Sequence, residues 1–400
     1  MKPFRVPLPI IVLAVFLAAV PTPSTAVNLT LSCLDVGSAV EACRASARRF
    51  EAASGHVVRV VAADASGRMA LGRYQALFDI DSPRLDVLQF PDAWVPAMAP
   101  DLATLPEPGE GAAIPEVLDA ARDAGRLVGW PHHMALTLLF LRSDLLPTDP
   151  SAWSELREAL LVAPPDGTLG LAFGGAGPTL FVLFLDWVAS FGPGGVEDGP
   201  QVRAALAALN DAIGTIAPPS VASTSPQEAV AAFTSGDAAA LLARSTALPA
   251  VRSSPIAQDV AAVLRLRAAG APSRTPLVVT TWFVGVSRHS SNGEAALDLA
   301  RFLALKDEQR AAALDFGVPP ASPSLYEEAA VAAIGPVFAR IGRELGRLVP
   351  PPVARYGSAY LELSDEVAGA VRALLRGEAG EAETAALIER AVARAGRQGE

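Results

Sequence analysis

Basic residues, histidine and cysteine are all scarce in this 400-residue chain, and each shortage removes a class of function. Lys and Arg number 32 against 42 Asp and Glu, a formal net charge of −10. Nucleic acids and anionic membranes are held by basic surfaces, so neither is expected as a partner. Four scattered histidines and two cysteines make a poor metal set, and no resident metal or cofactor is expected. The chain has no Gly-x-Ser-x-Gly elbow, no phosphate loop and no metal-spaced His/Glu pair, which argues against an enzyme. Beyond the N-terminus there is also no uncharged run long enough to cross a bilayer. Leu171 to Leu185 comes nearest, but it is rich in glycine and closes on Asp186, so it reads as a loop leading into a buried helix.

The N-terminus is different. Lys2 and Arg5 precede the apolar run Val6 to Val20, and Ser24-Thr25-Ala26 offers small residues for cleavage, the layout of a secretory signal. Cleavage after Ala26 removes Lys2 and Arg5, taking the net charge from −10 to −12 and leaving 374 residues. That length favours more than one lobe, because single cores stop growing at about 250–300 residues. In an oxidising compartment Cys33 and Cys43 are expected to pair. Their short loop fixes local geometry more than global stability. A lipid on Cys33 is the alternative, but Thr30-Leu31-Ser32 matches a lipobox poorly.

Short apolar strands alternate with amphipathic helices: Leu29–Ser32, Val40–Ser54 ending at Gly55, Val57–Ala62, Met69–Phe78 and Leu85–Phe90, with Pro91 breaking the last. This rhythm predicts an α/β fold, with a mostly parallel sheet and helices on both faces. Leu127–Trp130 and Leu136–Arg142 read as two strands separated by Pro131-His132-His133. Ser151 is placed as a helix N-cap. Helices are expected at Leu180–Phe191, Gln201–Ile213, Pro226–Thr234, Gly293–Leu305 and Asp307–Leu314. Strands are expected at Ala238–Ala243 and Val278–Val286. Gly335-Pro336 divides a helical stretch from Glu327 to Leu348, and Tyr360 onward is helical.

The order of these segments carries a resemblance. Phe50-Glu51-Ala52-Ala53-Ser54-Gly55, Tyr74-Gln75-Ala76-Leu77-Phe78, Leu139-Phe140-Leu141-Arg142-Ser143-Asp144-Leu145-Leu146, Asp186-Trp187-Val188-Ala189-Ser190-Phe191-Gly192, Ile216-Ala217-Pro218-Pro219 and Trp282 follow one another as in family 1 extracellular solute-binding proteins. The trehalose/maltose-binding branch is the nearest in pattern. The resemblance implies two α/β lobes joined by crossing hinge strands: 27–131 with 278–320, and 132–277 with 321–400. It implies a small solute, a sugar or something like it, bound in the cleft by hinge closure. It also implies a monomer in the periplasm or otherwise exported, docking on the membrane permease of an ABC importer.

At several places where that branch carries sugar-binding groups, this chain differs. Ala39 stands where a glutamate is usual, Pro91 where an aspartate is usual (Asp92 follows one place late), and Ala135 where the crossover has its carboxylate. A less polar cleft fits a smaller or more apolar solute, a rebuilt sugar site, or a sensor-partner protein that keeps the fold without the sugar. The ligand-binding candidates are Ser66, Arg68, Asp92, Trp94, His132, His133, Trp282 and Tyr360. Ser66 and Arg68 open a helix, where backbone N–H groups meet an anion or hydroxyl or are simply capped. Asp92 and Trp94 lie at a strand's C-terminal end, where open α/β sheets bind ligands. His132 and His133 read either as imidazoles on a cleft ligand or a pH-sensitive hinge, or as a strand-end cap facing solvent. Trp282 is a stacking platform or an interlobe core residue, and Tyr360 a cleft or a core residue. Gly174-Gly175-Ala176-Gly177 lacks the Lys and Ser/Thr of a P-loop and reads as a flexible loop.

Overall fold

The computed structural model describes residues 26–35, 38–64, 67–147, 149–162, 168–177 and 179–399, with Asp64, Gly67, Arg68 and Gly399 as backbone only. The expected signal segment (except Ala26), Ser66 and the Arg68 side chain lie outside what is described.

Eleven strands are present among the described residues: β1 Asn28–Asp35, β2 Val57–Asp64, β3 Val87–Pro91, β4 Arg122–Asp123, β5 Arg126–Leu127, β6 Trp130–Arg142, β7 Leu169–Phe173, β8 Ala238–Arg244, β9 Val260–Leu264, β10 Leu277–Val286 and β11 Leu348–Val349. The main sheet runs β2-β1-β3-β10-β6-β8-β7. β9 pairs with β6, and β11 with β10. Pairing is parallel at each end, β1 with β2 and β3, and β7 with β8. It is antiparallel through the middle, where β10 pairs with both β3 and β6 and β6 pairs with β8 and β9. The sheet is therefore mixed rather than mostly parallel.

Two hydrophobic cores flank the central pair. One gathers β1, β2, β3 and the helix Ala39–Ser54, together with Phe283, Val284 and the helix Gly293–Ala304. The other gathers Leu139, Leu141, β7 and the helices Leu180–Ala189, Gly199–Ala212, Tyr360–Leu375 and Glu381–Gly399. A third cluster joins β6, β8 and β10 to the helix Pro336–Arg343. Thirteen-residue β6 and ten-residue β10 reach into all of this, so they are the crossing strands.

Local chemistry explains most boundaries. Gly55 ends its helix at φ 76°, and Ser225 with Glu228 forms a capping box on Pro226–Thr234. Cys33, on β1, is bonded to Cys43 on the following helix.

Four further expectations change. Pro131-His132-His133 does not separate two strands. It lies inside β6, because the register shifts there: Trp282 pairs with His133 and Phe283 with Pro131, which leaves His132 as a bulge. A proline is tolerated at such an irregularity, where a ladder N–H is already missing. Leu169–Phe173 is a buried strand, not the start of a loop; it is parallel to β8 and shares its core. Ser151 is not an N-cap acceptor. Its N–H and its hydroxyl both donate to Glu155, two residues into the helix that begins at Trp153. Gly174 and Gly175 are not a free loop. A Cβ on either would stand 2.6 Å from Pro226 N or 2.3 Å from Val221 O, and Gly175 N donates to Val221 O at 2.9 Å. Glycine is there for close approach of backbones.

Candidate functional site

The crossing strands present one partly open face. Along β10, Thr280 and Trp282 are partly exposed while Thr281 and Phe283 are buried, the alternation of a strand with one open side. The register places Trp282 opposite His133, Thr280 opposite Ala135, and Thr137 opposite Arg244. Two-residue spacing along β6 keeps His133, Ala135 and Thr137 on that same face.

Arg244, the last residue of β8, spans this face. Its Nη1 donates to Thr137 Oγ1 at 2.9 Å, and its Nη2 donates to Thr280 Oγ1 at 2.8 Å and to the Ala135 carbonyl. No carboxylate lies within ion-pair distance of it among the described residues. Burial lowers its pKa to about 10, against the pull of Asp186, Asp92 and Tyr360. Ala135 stands where the resemblance expects a carboxylate, and its backbone carbonyl accepts from the guanidinium.

Asp92 follows β3, whose last residue, Pro91, pairs with Trp282. Its carboxyl accepts from Ala93 N at 2.8 Å and from Thr281 N at 3.0 Å, so it fastens β3 to β10. Burial pushes its pKa up to about 7, even though those two bonds and Arg244 oppose the shift.

The histidine pair is buried, which rules out the solvent-facing reading: His132 is 2% and His133 3% exposed. Their protons follow from the bonding. Gln89 Oε1 accepts from Leu34 N at 3.1 Å, so Gln89 Nε2 is the atom that donates to His132 Nδ1 at 2.8 Å. His133 Nδ1 stands 3.0 Å from the same acceptor and must donate to it as well. His133 Nε2 is then a bare lone pair, buried without a partner among the described residues. Both rings are neutral: burial lowers His132 to about 4, and burial followed by the charge of His132 lowers His133 well below the usual range. Trp282 stacks on His133 with centroids 4.9 Å apart and planes 12° apart.

Tyr360 begins the helix Tyr360–Leu375 and is 2% exposed, edge-on to Phe181 at 5.8 Å. Burial, then Asp92, raises its hydroxyl well above the usual phenol range, with Arg244 opposing. Leu361 beside it, and Ala93 beside Asp92, pack against both flanking cores, so this corner is where the two halves meet. Trp94 is elsewhere: its ring lies in the core of β1–β3, edge-on to Tyr74 at 5.9 Å.

Asp92, His132, His133, Trp282 and Tyr360 are thus brought to one seam. Arg244 and Thr280 complete it, and sequence reasoning passed over both as ligand-binding candidates. The only hint was a cation closing an Ala-rich strand. Among the described residues no group of acidic, histidine or cysteine side chains is arranged to hold a metal ion, and no helix is long and apolar enough to cross a membrane.

Residues 45–337 match the family described as bacterial extracellular solute-binding protein. The chain belongs to that family. A "probable ABC transporter-binding protein" of Deinococcus radiodurans is 26% identical over 377 residues, covering 88% of this chain and 89% of that protein. Among solved structures, maltose-bound MalE3 of T. maritima superposes with a TM-score of 0.82 at 24% identity, covering 91% of this chain and 98% of that one. The GacH receptor of Streptomyces glaucescens, solved unliganded and with acarbose, gives 0.80 at 19% identity over 94% and 99%. A solute-binding protein from Agrobacterium vitis with bound D-mannitol gives 0.74 at 18% identity over 93% and 99%. These likenesses establish the two-lobed fold of the extracellular solute-binding proteins.

Proposed function

We propose that this solute-binding protein captures a small polyhydroxylated solute, a sugar or sugar-like polyol, between its lobes and presents it to the membrane permease of an ABC importer. The observation that carries the reading is the seam face itself. Trp282 supplies an aromatic plane, Arg244 and Thr280 supply donors, and the orphaned His133 Nε2 supplies an acceptor that a ligand hydroxyl satisfies. Ligand pockets of this kind are mostly apolar, with a few fixed polar groups. A buried acceptor without a donor costs about 1–3 kcal/mol, which a hydroxyl-bearing solute recovers on binding. The sugars and polyols held by proteins of the same fold support the choice of class.

In this reading the lobes comprise 27–131 with 278–320, and 132–277 with 321–400. Asp92, His133, Arg244, Thr280, Trp282 and Tyr360 contact or frame the ligand. His132 acts by setting the tautomer of His133. The protein is exported after cleavage near Ala26, works as a monomer, and binds without turnover. A solute that contacts both lobes closes the hinge only by its preference for the closed form.

Thermal unfolding of the mature protein against trehalose, maltose, glucose, mannitol and ribitol tests this. A ligand that binds only the folded state stabilises by about 2.7 kcal/mol at a hundred times its Kd. A melting shift with at least one of these solutes, and compaction in small-angle scattering, is expected. No shift with any of them would sink the sugar-like reading.

A further inference from the structure

A pocket lies away from the seam face. It has a volume of about 260 Å³ and is walled by five arginines: Arg265 and Arg267 just beyond β9, Arg340 and Arg343 on the helix Pro336–Arg343, and Arg347 in the turn that follows. One acidic side chain, Glu344, joins the wall. None of the residues of the seam face lines it. In a chain with a net charge of −10, this is a local reversal of sign.

Counter-charges settle three of the five. Arg265 Nε pairs with Asp186 at 2.8 Å, Arg340 Nη1 with Asp149 at 2.7 Å, and Arg347 Nη1 with Glu344 at 3.0 Å. Arg267 and Arg343 have no carboxylate within ion-pair distance among the described residues. Among the described residues the Arg267 side chain makes one bond, a 3.4 Å contact from Nη1 to the Ala271 carbonyl. Two guanidinium charges therefore face the pocket without balance. Ser151 and Ser273 add hydroxyls to its wall.

We infer that this pocket binds a phosphate group. A phosphate monoester carries about −1.5 to −2 charges near neutral pH, which matches the surplus of two. Guanidinium forks pair bidentately with its oxygens, which a compact ammonium does not do. A cavity of about 260 Å³ has room for a phosphate bearing a short organic tail. The phosphate comes either from a small soluble ester or from the headgroup of an anionic lipid. An acidic peptide is disfavoured, because an extended chain needs a groove and the surplus charge is confined to one compact pocket.

The test uses the mature full-length protein. Melting temperature and calorimetry are followed with inorganic phosphate and glycerol phosphate, against chloride and acetate at matched ionic strength. Flotation is followed with phosphatidylcholine vesicles with and without phosphatidate. Both phosphates are expected to raise the melting temperature above the chloride and acetate controls, and R267Q/R343Q is expected to lose at least about tenfold in affinity. Any melting shift produced by a cleft sugar should survive that double change, which separates this site from the proposed solute site. Flotation with phosphatidate, lost in the same variant, would assign the lipid as source and still support the inference. R343Q alone, at an exposed position, guards against a folding defect and should show an intermediate loss. The inference is overturned if neither phosphate nor phosphatidate vesicles bind above the controls, if an acidic peptide binds while phosphate does not, or if the variants bind phosphate as the parent does.

Discussion

Two arginines at the ends of the strands that flank β6, Arg265 buried and Arg244 partly exposed, have opposite electrostatic settings. Arg265, just past β9, is closed off. Its Nε meets Asp186 at 2.8 Å, and its remaining donors reach Thr275 and the carbonyls of Leu266 and Pro276. Arg244, at the end of β8, meets two hydroxyls and a carbonyl, all on the crossing strands β6 and β10, and has no ion-pair partner among the described residues. Burial lowers the pKa of both. The first carries its counter-charge inside the fold and needs nothing further. The second is held in place by groups that cannot neutralise it, so part of its hydrogen-bonding capacity is left for a ligand. The difference separates a residue whose charge is settled inside the fold from one that, in the proposed function, reads what enters between the lobes.

The largest effect should come from breaking the closed pair. D186A leaves Arg265 buried and unpaired and also removes the acceptor for Val278 N. Removing one partner of a buried ion pair costs about 3–5 kcal/mol, and replacing both with apolar residues recovers much of it. Urea unfolding should show that loss for D186A and a clearly smaller one for D186L/R265L. A loss below about 1 kcal/mol for D186A would erase the contrast with Arg244.

Acid should come next, acting on the seam. His132 has a folded pKa of about 4, below the ordinary 6.5, so the unfolded chain binds the extra proton first. Its contribution is complete above pH 6.5 and is lost as pH falls toward 4, about 3 kcal/mol over the window. His133, lowered by burial and by His132, adds in the same direction. Asp92 works the other way. Its folded pKa of about 7 exceeds the ordinary 3.8, so its contribution is present at low pH and is lost as pH rises through 7. Two histidines against one aspartate give a net loss of stability on acidification between pH 6.5 and 4. H132Q, which keeps an acceptor for Gln89, should flatten the fall, and D92N should steepen it. Urea midpoints across that range decide; an unchanged slope in H132Q would mean that the pair titrates normally.

Arg244 itself should matter less for stability and more for binding. R244M forfeits three hydrogen bonds, at a net cost of about 1–2 kcal/mol once the methionine stem packs. Its effect on the Kd of a cleft solute should be larger, tenfold to a hundredfold, because the donor facing the ligand is gone. Calorimetry with whichever solute gives a melting shift separates the two. Unchanged affinity beside lost stability would make Arg244 a clip between strands, like Arg265.

The local parts of this fold were readable, and the parts set by register were not. The β1–helix–β2–helix–β3 opening declares itself through apolar blocks ended by Gly55 and turn residues, and the cysteine pair falls within it. Asp92 and Trp282 could be placed because each ends or punctuates a recognisable strand. β9, five residues of Val, Ala and Leu, has the composition of the surrounding helices and shows its nature only by pairing with β6. Pro131 looked like a break because only the partner strand reveals the bulge at His132. Arg244 could not be found from sequence, since its three partners are more than thirty residues away in the chain and meet it only through the registers of β6, β8 and β10.

The smallest effect tests whether the open face is a ligand face at all. Trp282 is partly exposed, yet one side of its ring is already covered by His133 at a near-parallel 12°. If that pair were merely packing, W282L would cost stability and leave solute affinity alone. If the free side of the ring is the platform, W282L should keep most of its stability and lose about 0.5–1.5 kcal/mol of binding, roughly threefold to tenfold in Kd. The loss should be greater for a cyclic sugar than for an open-chain polyol, because only a ring presents a flat C–H face to the indole. Equal losses for maltose and mannitol would place the tryptophan beside the ligand rather than beneath it. The polar half of the seam, Arg244 with the lone pair of His133, would then carry recognition without it.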